Sequence, residues 1–470
     1  MRLPKILRRV NNVKNFLSPI NQLPLEILAH TATFFVKERD LINATAVCQR
    51  WRTTLLSFPL LWRNAGGSSS EIQAYVERSK STLLDVDLSR PSLVDLIIPH
   101  FSRLVGLTVW LDESSNLSEF IHHMRHPIPT LRVFRISSKD DDSRPRLTFP
   151  SDLKDPFFLH IKRLELKGIL AVRGYRFLFV TKLVLDTSAT YCTQWLLETF
   201  KQFQSLEKIH ITLHQPLDPI TSTPNVITLS HVQEMSLSMF NATSFPTYLP
   251  QLFLYLRLPK LASLCVQAFG RVIPPCPLFP TQAFCDHLPN FTQLPELQVH
   301  MGNSSPELTF RSTSQAILKY LAGTLLNYDY VERTIWGGLP LDSVRRVTVN
   351  MTPRPSNREL RWFVGLLRDL KHLEHLELEE ECEDAIRWLS REMKKGAGSL
   401  PIRTLTLPCG GGQVLRLKRL SDADGLTARF IRIRDPGAHE GGEVGTNPEG
   451  SVTGRKGRSV RGDSNAGPEP

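Results

Sequence analysis

The sequence predicts an α/β protein, in which a short segment of three helices precedes a solenoid of strand-and-helix repeats with a parallel sheet on its concave face. Three observations carry this prediction: helical spacing of apolar residues within 19–65, short apolar runs that recur along 81–434, and helix-like stretches between those runs. The 470 residues, 41% hydrophobic and 22% charged, suffice to bury a large core without disulfides. A mixed α/β domain of another topology is the alternative.

Residues 1–18 are predicted to form a basic arm. Arg or Lys at positions 2, 5, 8, 9 and 14 precedes the first carboxylate, Glu26. A mitochondrial presequence has this charge pattern, but the arm has little serine and no clear cleavage signal. We therefore predict a solvated arm ahead of the first domain.

The first predicted helix of segment 19–65 begins at Leu23-Pro24-Leu25-Glu26. Pro24 suits the first helical position, whose amide lacks a partner in any case, and Glu26 lies in the positively polarised first turn. The apolar line of this helix runs through Ile27, Leu28 and one of the two phenylalanines at 34 and 35.

The second predicted helix has Asp40 as its N-cap. Phe58-Pro59 ends it, and Leu60-Leu61-Trp62 gives a third apolar anchor. The apolar residues of the second helix recur every three or four positions and form one stripe: Leu41, Ala44, Cys48, Trp51 and Leu55.

Residues 66–80 are predicted to form a glycine- and serine-rich linker and a connecting helix. Beyond them, runs of the form L-x-x-L-x-L recur about every 20 to 33 residues, which is a leucine-rich-repeat-like period. Helix-like stretches lie at 192–203 and 357–370, and the long interval after Leu294 leaves room for another run at Leu325/Tyr328/Tyr330. The runs begin at Leu83, Leu104, Leu131, Ile161, Val180, Leu206, Val232, Leu261, Leu294, Val344, Leu373 and Ile402.

The repeats are predicted to occupy residues 81–434. A single strand-and-helix unit cannot cover its own apolar face, so neighbouring units stack and their strands line a concave surface. Residues 435–470 contain no aromatic residue and many glycines, and we predict a disordered tail.

Three fragments of segment 19–65, taken in order, resemble the F-box: Leu23-Pro24-x-Glu26-Ile27-Leu28, Val47-Cys48-x-x-Trp51 and Pro59-Leu60-Leu61-Trp62. The continuation from Tyr75 to Leu88 resembles the expanded fungal F-box proteins with degenerate leucine-rich repeats. The resemblance implies an F-box at 19–65 whose helices bind a Skp-type adaptor. The residues that it assigns to adaptor binding are Leu23, Pro24, Glu26, Ile27, Leu28, Val47, Cys48, Trp51, Pro59, Leu60, Leu61 and Trp62.

The resemblance further implies the substrate-recognition subunit of a cullin-RING ubiquitin ligase of the SCF type. The adaptor would link the chain to a cullin, the repeats would hold a protein target, and catalysis would belong to the partners. Thr31-Ala32 departs from the family's pattern, in which larger apolar residues are common, so we expect less buried area there. The alternative is a repeat-based protein-binding module without a ligase.

Residues with catalytic or metal-binding chemistry do not form a recognisable site, and we expect no catalytic residue, metal or cofactor. HExxH, GxSxG and Walker sequences are absent, so an enzyme of unrecognised α/β fold is a third, weaker alternative. Asp140-Asp141-Asp142 is predicted to be a solvated loop, and the carboxylates between Glu374 and Asp384 a charged surface or an acidic contact patch for a basic partner. The histidines at 122, 123 and 126 are predicted to be structural or surface residues, and the glycines at 337–338 and 410–412 match no phosphate-binding pattern.

Charge and cysteine content narrow the class of protein. The net charge of +11 is mild for this length, so no nucleic acid is expected as a partner. The seven cysteines are scattered and never spaced as CxxC, which indicates reduced thiols in the cytoplasm or nucleus. Apolar runs fall far short of the ~20 residues of a membrane span, so we expect no membrane association.

Overall fold

The fold is taken from a computed structural model of the chain. Everything below concerns the residues that it describes. These are 3–35, 38–111, 120, 128–138, 159–168, 177–187, 191–214, 217–218, 225–240, 249–269, 286–301, 306–322, 339–351, 357–378, 402, 404–409, 413–419 and 428–433.

Short helices occupy the beginning of the chain. Segment 19–65 is divided more finely than the three predicted helices, and the predicted arm contains a 15-residue helix. The helices are α1 (Leu3–Leu17), α2 (Pro19–Gln22), α3 (Leu25–Ala32), α4 (Glu38–Val47) and α5 (Gln49–Ser57), followed by a 3-10 turn (Pro59–Trp62).

The stripe predicted on one helix belongs to two. Cys48 is extended, with φ −157° and ψ 171°, so the chain turns there and α4 packs against α5. Arg52 Nε donates to the carbonyl oxygen of Thr45 at 3.0 Å, which satisfies a carbonyl of the last turn of α4. Because α4 already begins at Glu38, the N-cap role predicted for Asp40 is wrong.

Helix α6 (Ser69–Arg78) lies within segment 66–80, where a linker and a connecting helix are predicted, and it includes the last two serines of that linker. Gly67 has φ +93°, a conformation that favours glycine. Ser68 then caps α6: its amide donates to Glu71 Oε2 at 2.7 Å, and its hydroxyl accepts from the Glu71 amide at 3.4 Å.

The described strands form one large sheet of 17 strands and two small pairs, β7–β9 and β10–β12. The predicted α/β class of the protein, with amino-terminal helices and a mostly parallel sheet, is confirmed. The strands are β1 (Asn64–Ala65), β2 (Leu84–Leu88), β3 (Leu104–Leu111), β4 (Val133–Ser138), β5 (Arg163–Lys167), β6 (Lys182–Thr187), β7 (Tyr191–Cys192), β8 (Lys208–Leu213), β9 (Leu217–Asp218), β10 (Ile227–Thr228), β11 (Glu234–Phe240), β12 (Leu256–Arg257), β13 (Ser263–Phe269), β14 (Glu296–Met301), β15 (Pro306–Arg311), β16 (Ile317–Ala322), β17 (Arg346–Met351), β18 (His375–Leu378), β19 (Thr404–Cys409), β20 (Gln413–Arg419) and β21 (Ala428–Ile433).

The strands of the large sheet lie in the order of the chain as far as β13 and again from β17 onward. From β1 through β6, β8, β11 and β13, each strand pairs in parallel with the next. Strand β13 then pairs with β16, and the antiparallel strand β15 joins β16 to β14. From β14 the parallel series continues through β17, β18 and β19, and β20 and β21 follow as antiparallel neighbours.

The apolar runs lie side by side in register, apart from one interruption. The hairpin β15–β16 separates the run that begins at Leu261 from the one at Leu294, because β13 pairs with β16. The further run predicted at Leu325 lies outside the described residues. Buried register partners on successive strands are Val86, Leu107, Phe134, Leu164, Leu183, Ile209, Met235 and Leu264.

The first run has a different start from the one predicted. Leu83 is 56% exposed, whereas Leu84 is 1% exposed and pairs with Leu104. Strand β2 begins at Leu84, and side chains alternate between the two faces of a strand. Leu84 is therefore the core residue, and the prediction of Leu83 is wrong.

Helices lie between several strands, as the repeats predicted. Helix α7 (Thr193–Phe200) lies within the stretch predicted at 192–203, and α9 (Asn357–Asp369) within that at 357–370. Another helix, α8 (Leu249–Tyr255), precedes β12. One continuous hydrophobic core contains residues of α3 to α6 and of the sheet.

Candidate functional site

Asn21 is a buried polar residue, 8% exposed, that joins the first helices by hydrogen bonds. Its Oδ1 accepts from Trp51 Nε1 at 2.8 Å, and its Nδ2 donates to the carbonyl oxygen of Asn15 at 2.6 Å. Cys48 Sγ lies 3.9 Å from the same Oδ1. A buried amide with these partners fixes α1, α2 and α5 relative to one another. Sequence reasoning missed Asn21, because a single polar residue before an apolar helix carries no pattern.

The start of α3 is held by α5. Arg50 Nη2 donates to the carbonyl oxygen of Leu23 at 2.6 Å. Pro24, with φ −49° and ψ 150°, lies just outside the helix, and its carbonyl oxygen accepts from the Leu28 amide at 3.0 Å. The helix thus begins at Leu25, one residue later than predicted, with exposed Glu26 in its first turn.

Three of the twelve predicted adaptor-binding residues are buried inside the chain: Leu28 and Trp62 are 0% exposed, and Trp51 is 7% exposed. The Trp51 ring stacks on Phe35 with centroids 6.5 Å apart. In this arrangement these three residues stabilise the helical segment, because a partner reaches only what the fold leaves exposed.

Helix α6 covers Trp62, so the two are in contact across the predicted linker. The indole meets the Tyr75 ring edge-on at 5.0 Å between centroids, and the Arg78 guanidinium lies 4.4 Å from the ring centroid. Its Nε1 donates to the carbonyl oxygen of Leu55 at 2.9 Å. Both the ring and its N–H are therefore satisfied within the chain.

Other predicted adaptor-binding residues lie at the surface. Ile27 is 48% exposed, Val47 60% and Leu60 67%, and Pro24 and Glu26 are also exposed. Exposed apolar side chains of this size are typical of contact surfaces when several occur in one small segment. Sequence reasoning did not assign Leu25 or Phe34 to the site, although both are exposed too. The half-buried members are Leu23, Cys48, Pro59 and Leu61.

Thr31 and Ala32, which depart from the F-box pattern, lie in two different environments. Thr31 Oγ1 donates to the carbonyl oxygen of Ile27 at 2.8 Å and is half-buried. Ala32 is 4% exposed and packs in the core. The small side chain at 32 therefore affects helix packing, and only position 31 concerns the surface.

A second candidate surface is the polar face of the sheet near its amino end. Arg135 on β4 lies 3.4 Å from Asp85 Oδ1 on β2 and 3.3 Å from Glu165 Oε1 on β5. Trp110 Nε1 donates to Asp87 Oδ1 at 2.7 Å. Arg135 thus pairs with a carboxylate on the neighbouring strand β5 and with another on β2, which lies two strands away. Such a surface suits a polar protein partner, for which complementary charge gives specificity.

Histidines continue this polar face on β8 and just beyond it. His214 Nε2 lies 3.0 Å from Asp186 Oδ1, and its ring stacks on Phe240 at 4.9 Å between centroids. Partial burial, and then the positive charge of Lys182, lower the pKa of His210, while Asp186 opposes that shift. The neutral form of His210 is thereby favoured.

The remaining predicted groups are described only in part. Glu374 lies 3.8 Å from Arg345, and Glu377 is in β18. Within the described part of the chain, no three His, Cys, Asp or Glu side chains cluster in a way that could hold a metal ion. The same part contains no helix long and apolar enough to cross a membrane. Other residues singled out in the sequence lie outside the described residues: Asp140–Asp142, the histidines at 122, 123 and 126, the carboxylates beyond 378, the glycines at 337–338 and 410–412, and the tail at 435–470.

Comparison with known proteins identifies the helical segment. Residues 20–66 match the F-box-like family, a stretch that runs from within α2 to just past β1. A search of curated proteins found no match to the chain. The matched stretch contains Asn21, the tryptophans at 51 and 62, and the exposed residues of α3 to the 3-10 turn. The chain therefore carries an F-box-like domain at residues 20–66.

Proposed function

We propose that the chain is the substrate-recognition subunit of an SCF-type ubiquitin ligase. The observation that carries the proposal is the F-box-like domain at 20–66, which leaves Ile27, Val47 and Leu60 exposed around a well-packed core. These side chains are available to a Skp-type adaptor, which would connect the chain to a cullin. Exposed apolar anchors of this kind contribute most of the binding energy when a partner buries them.

We further propose that the sheet is a leucine-rich-repeat solenoid that binds the target protein. In support, the strands of the large sheet follow chain order as far as β13, and buried register partners such as Leu164 and Leu183 repeat from strand to strand. The polar face around Arg135 and Asp87 would contact the target. By holding both partners, the receptor raises the effective concentration of the target near the activated ubiquitin, and the catalytic groups belong to the partners.

Adaptor binding is the test of this proposal, made on the whole chain with a purified Skp-type adaptor. The double change Ile27→Asp and Leu60→Asp places charges on two exposed apolar positions, so we expect affinity to fall at least about tenfold. Leu83→Asp is the control, because the exposed fraction of Leu83, 56%, lies between those of Ile27 and Leu60 and the residue lies outside the F-box-like domain. Melting temperatures of both variants should equal that of the parent chain.

Two results would contradict the receptor role. One is failure of the unaltered chain to bind the adaptor, and the other is equal affinity of the double variant and the Leu83 control. Either would favour the alternative of a protein-binding module without a ligase, for which the burial of Leu28, Trp51 and Trp62 inside the chain is the supporting observation.

A further inference from the structure

Helix α1 presents an apolar stripe to solvent. Ile6, Val10, Val13 and Leu17 follow one another at spacings of four, three and four residues, so they share one side of the helix. Their exposed fractions are 56%, 45%, 58% and 63%. Solvated polar helices do not carry such a stripe, and the solvated arm predicted from the sequence gives no reason for it.

Positive charge accompanies the stripe. Arg or Lys stands at positions 2, 5, 8, 9 and 14, and no carboxylate occurs before Glu26. Positions 5 and 8 lie on the side of the helix away from the stripe, and positions 9 and 14 lie at its two flanks, because each residue turns the helix by about 100°. A helix with a basic face, an apolar face and low net hydrophobicity is the kind that lies in a membrane interface.

The carboxyl end of α1 is anchored to the F-box-like domain. The carbonyl oxygen of Asn15 accepts from the Ser18 amide at 3.3 Å and from Asn21 Nδ2 at 2.6 Å. Asn21 in turn binds the Trp51 indole. A surface that holds α1 would therefore hold the domain next to it.

We propose that α1 binds the surface of membranes rich in anionic lipids. The stripe would enter the boundary between headgroups and acyl chains, and the basic residues would meet the lipid phosphates and carboxylates. Fifteen residues span only about 22 Å, against a hydrocarbon core of about 30 Å, so the helix lies in the surface rather than crossing it. The complete lack of carboxylates before residue 26 favours an anionic bilayer over an apolar protein groove, which would not require it.

Co-sedimentation of the whole chain with lipid vesicles tests this proposal. We expect binding to vesicles of phosphatidylcholine and phosphatidylserine, with little binding to phosphatidylcholine alone. Val10→Asp should weaken binding about tenfold more than Asn11→Asp, because both changes add one negative charge but only position 10 lies in the stripe. Unchanged melting temperatures would show that both variants fold.

Several results would overturn the membrane role. They are absence of vesicle binding, equal binding to both kinds of vesicle, and equal losses in the two variants. Loss of adaptor binding in Val10→Asp without any vesicle binding would instead assign the stripe to a protein groove. Since Ile27→Asp and Leu60→Asp lie outside α1, they should leave vesicle binding intact even if the proposed receptor role fails.

Discussion

The side chain of Asn21 cannot be exchanged for an apolar one of similar size without leaving polar groups unpaired. It is the acceptor for the buried indole of Trp51 and the donor to the carbonyl oxygen of Asn15. An unsatisfied buried donor costs about 1 to 3 kcal/mol. We expect Asn21→Leu to lower the free energy of unfolding by that amount, measured by urea denaturation of the whole chain.

Asn11→Leu is the control for this change, because Asn11 is exposed on α1. It should leave the free energy of unfolding within about 0.5 kcal/mol of the parent value. An Asn21→Leu variant as stable as the control would mean that water or another group satisfies Trp51.

At the scale of single residues, the sequence pattern predicted where the domain lies but not which of its residues are buried. The F-box pattern named Leu28 and Ile27 together, yet one is 0% exposed and the other 48%. Both are apolar residues adjacent in one helix, and only the packing of α3 on α5 decides which of them faces inward. A pattern of residue types therefore located the domain without separating its core from its surface.

Among the elements, strand β2 offers a comparison of two adjacent leucines. Leu84 is 1% exposed and pairs with Leu104, whereas Leu83 is 56% exposed. We expect Leu84→Ala to cost about 2 to 5 kcal/mol of stability and Leu83→Ala less than about 0.5 kcal/mol. Thermal and urea unfolding of the two variants would measure the difference, and similar losses would mean that the register of β2 is wrong.

Strands were more predictable than their connections. The alternation of apolar residues fixed most runs, such as those at Leu104 and Leu131, because one buried face requires a period of two. Nothing in the apolar pattern distinguishes the antiparallel hairpin β15–β16 from another parallel unit, since both present alternating apolar residues. The break between α4 and α5 at Cys48 was not predicted for a similar reason, because two packed helices can keep the apolar spacing of a single helix.

In the whole molecule, the F-box-like domain and the sheet share a core through Trp62. The indole is covered by Tyr75 and Arg78 of α6, which lie beyond the matched stretch. We expect a fragment of residues 1–65 to have lower helicity and a lower melting temperature than one of residues 1–80, because only the longer fragment buries Trp62. Circular dichroism would measure both quantities, and identical melting curves would contradict the coupling.

Strand β1 has only two residues, Asn64 and Ala65, and it is the first strand of the 17-stranded sheet. A long unpaired strand at that end would offer its free amides and carbonyls to another chain, as happens when sheets grow into fibres. A strand of two residues offers an incoming strand very few backbone groups for hydrogen bonding. The short strand β1 therefore protects this end of the parallel sheet. Its length disfavours end-to-end association of sheets from different molecules.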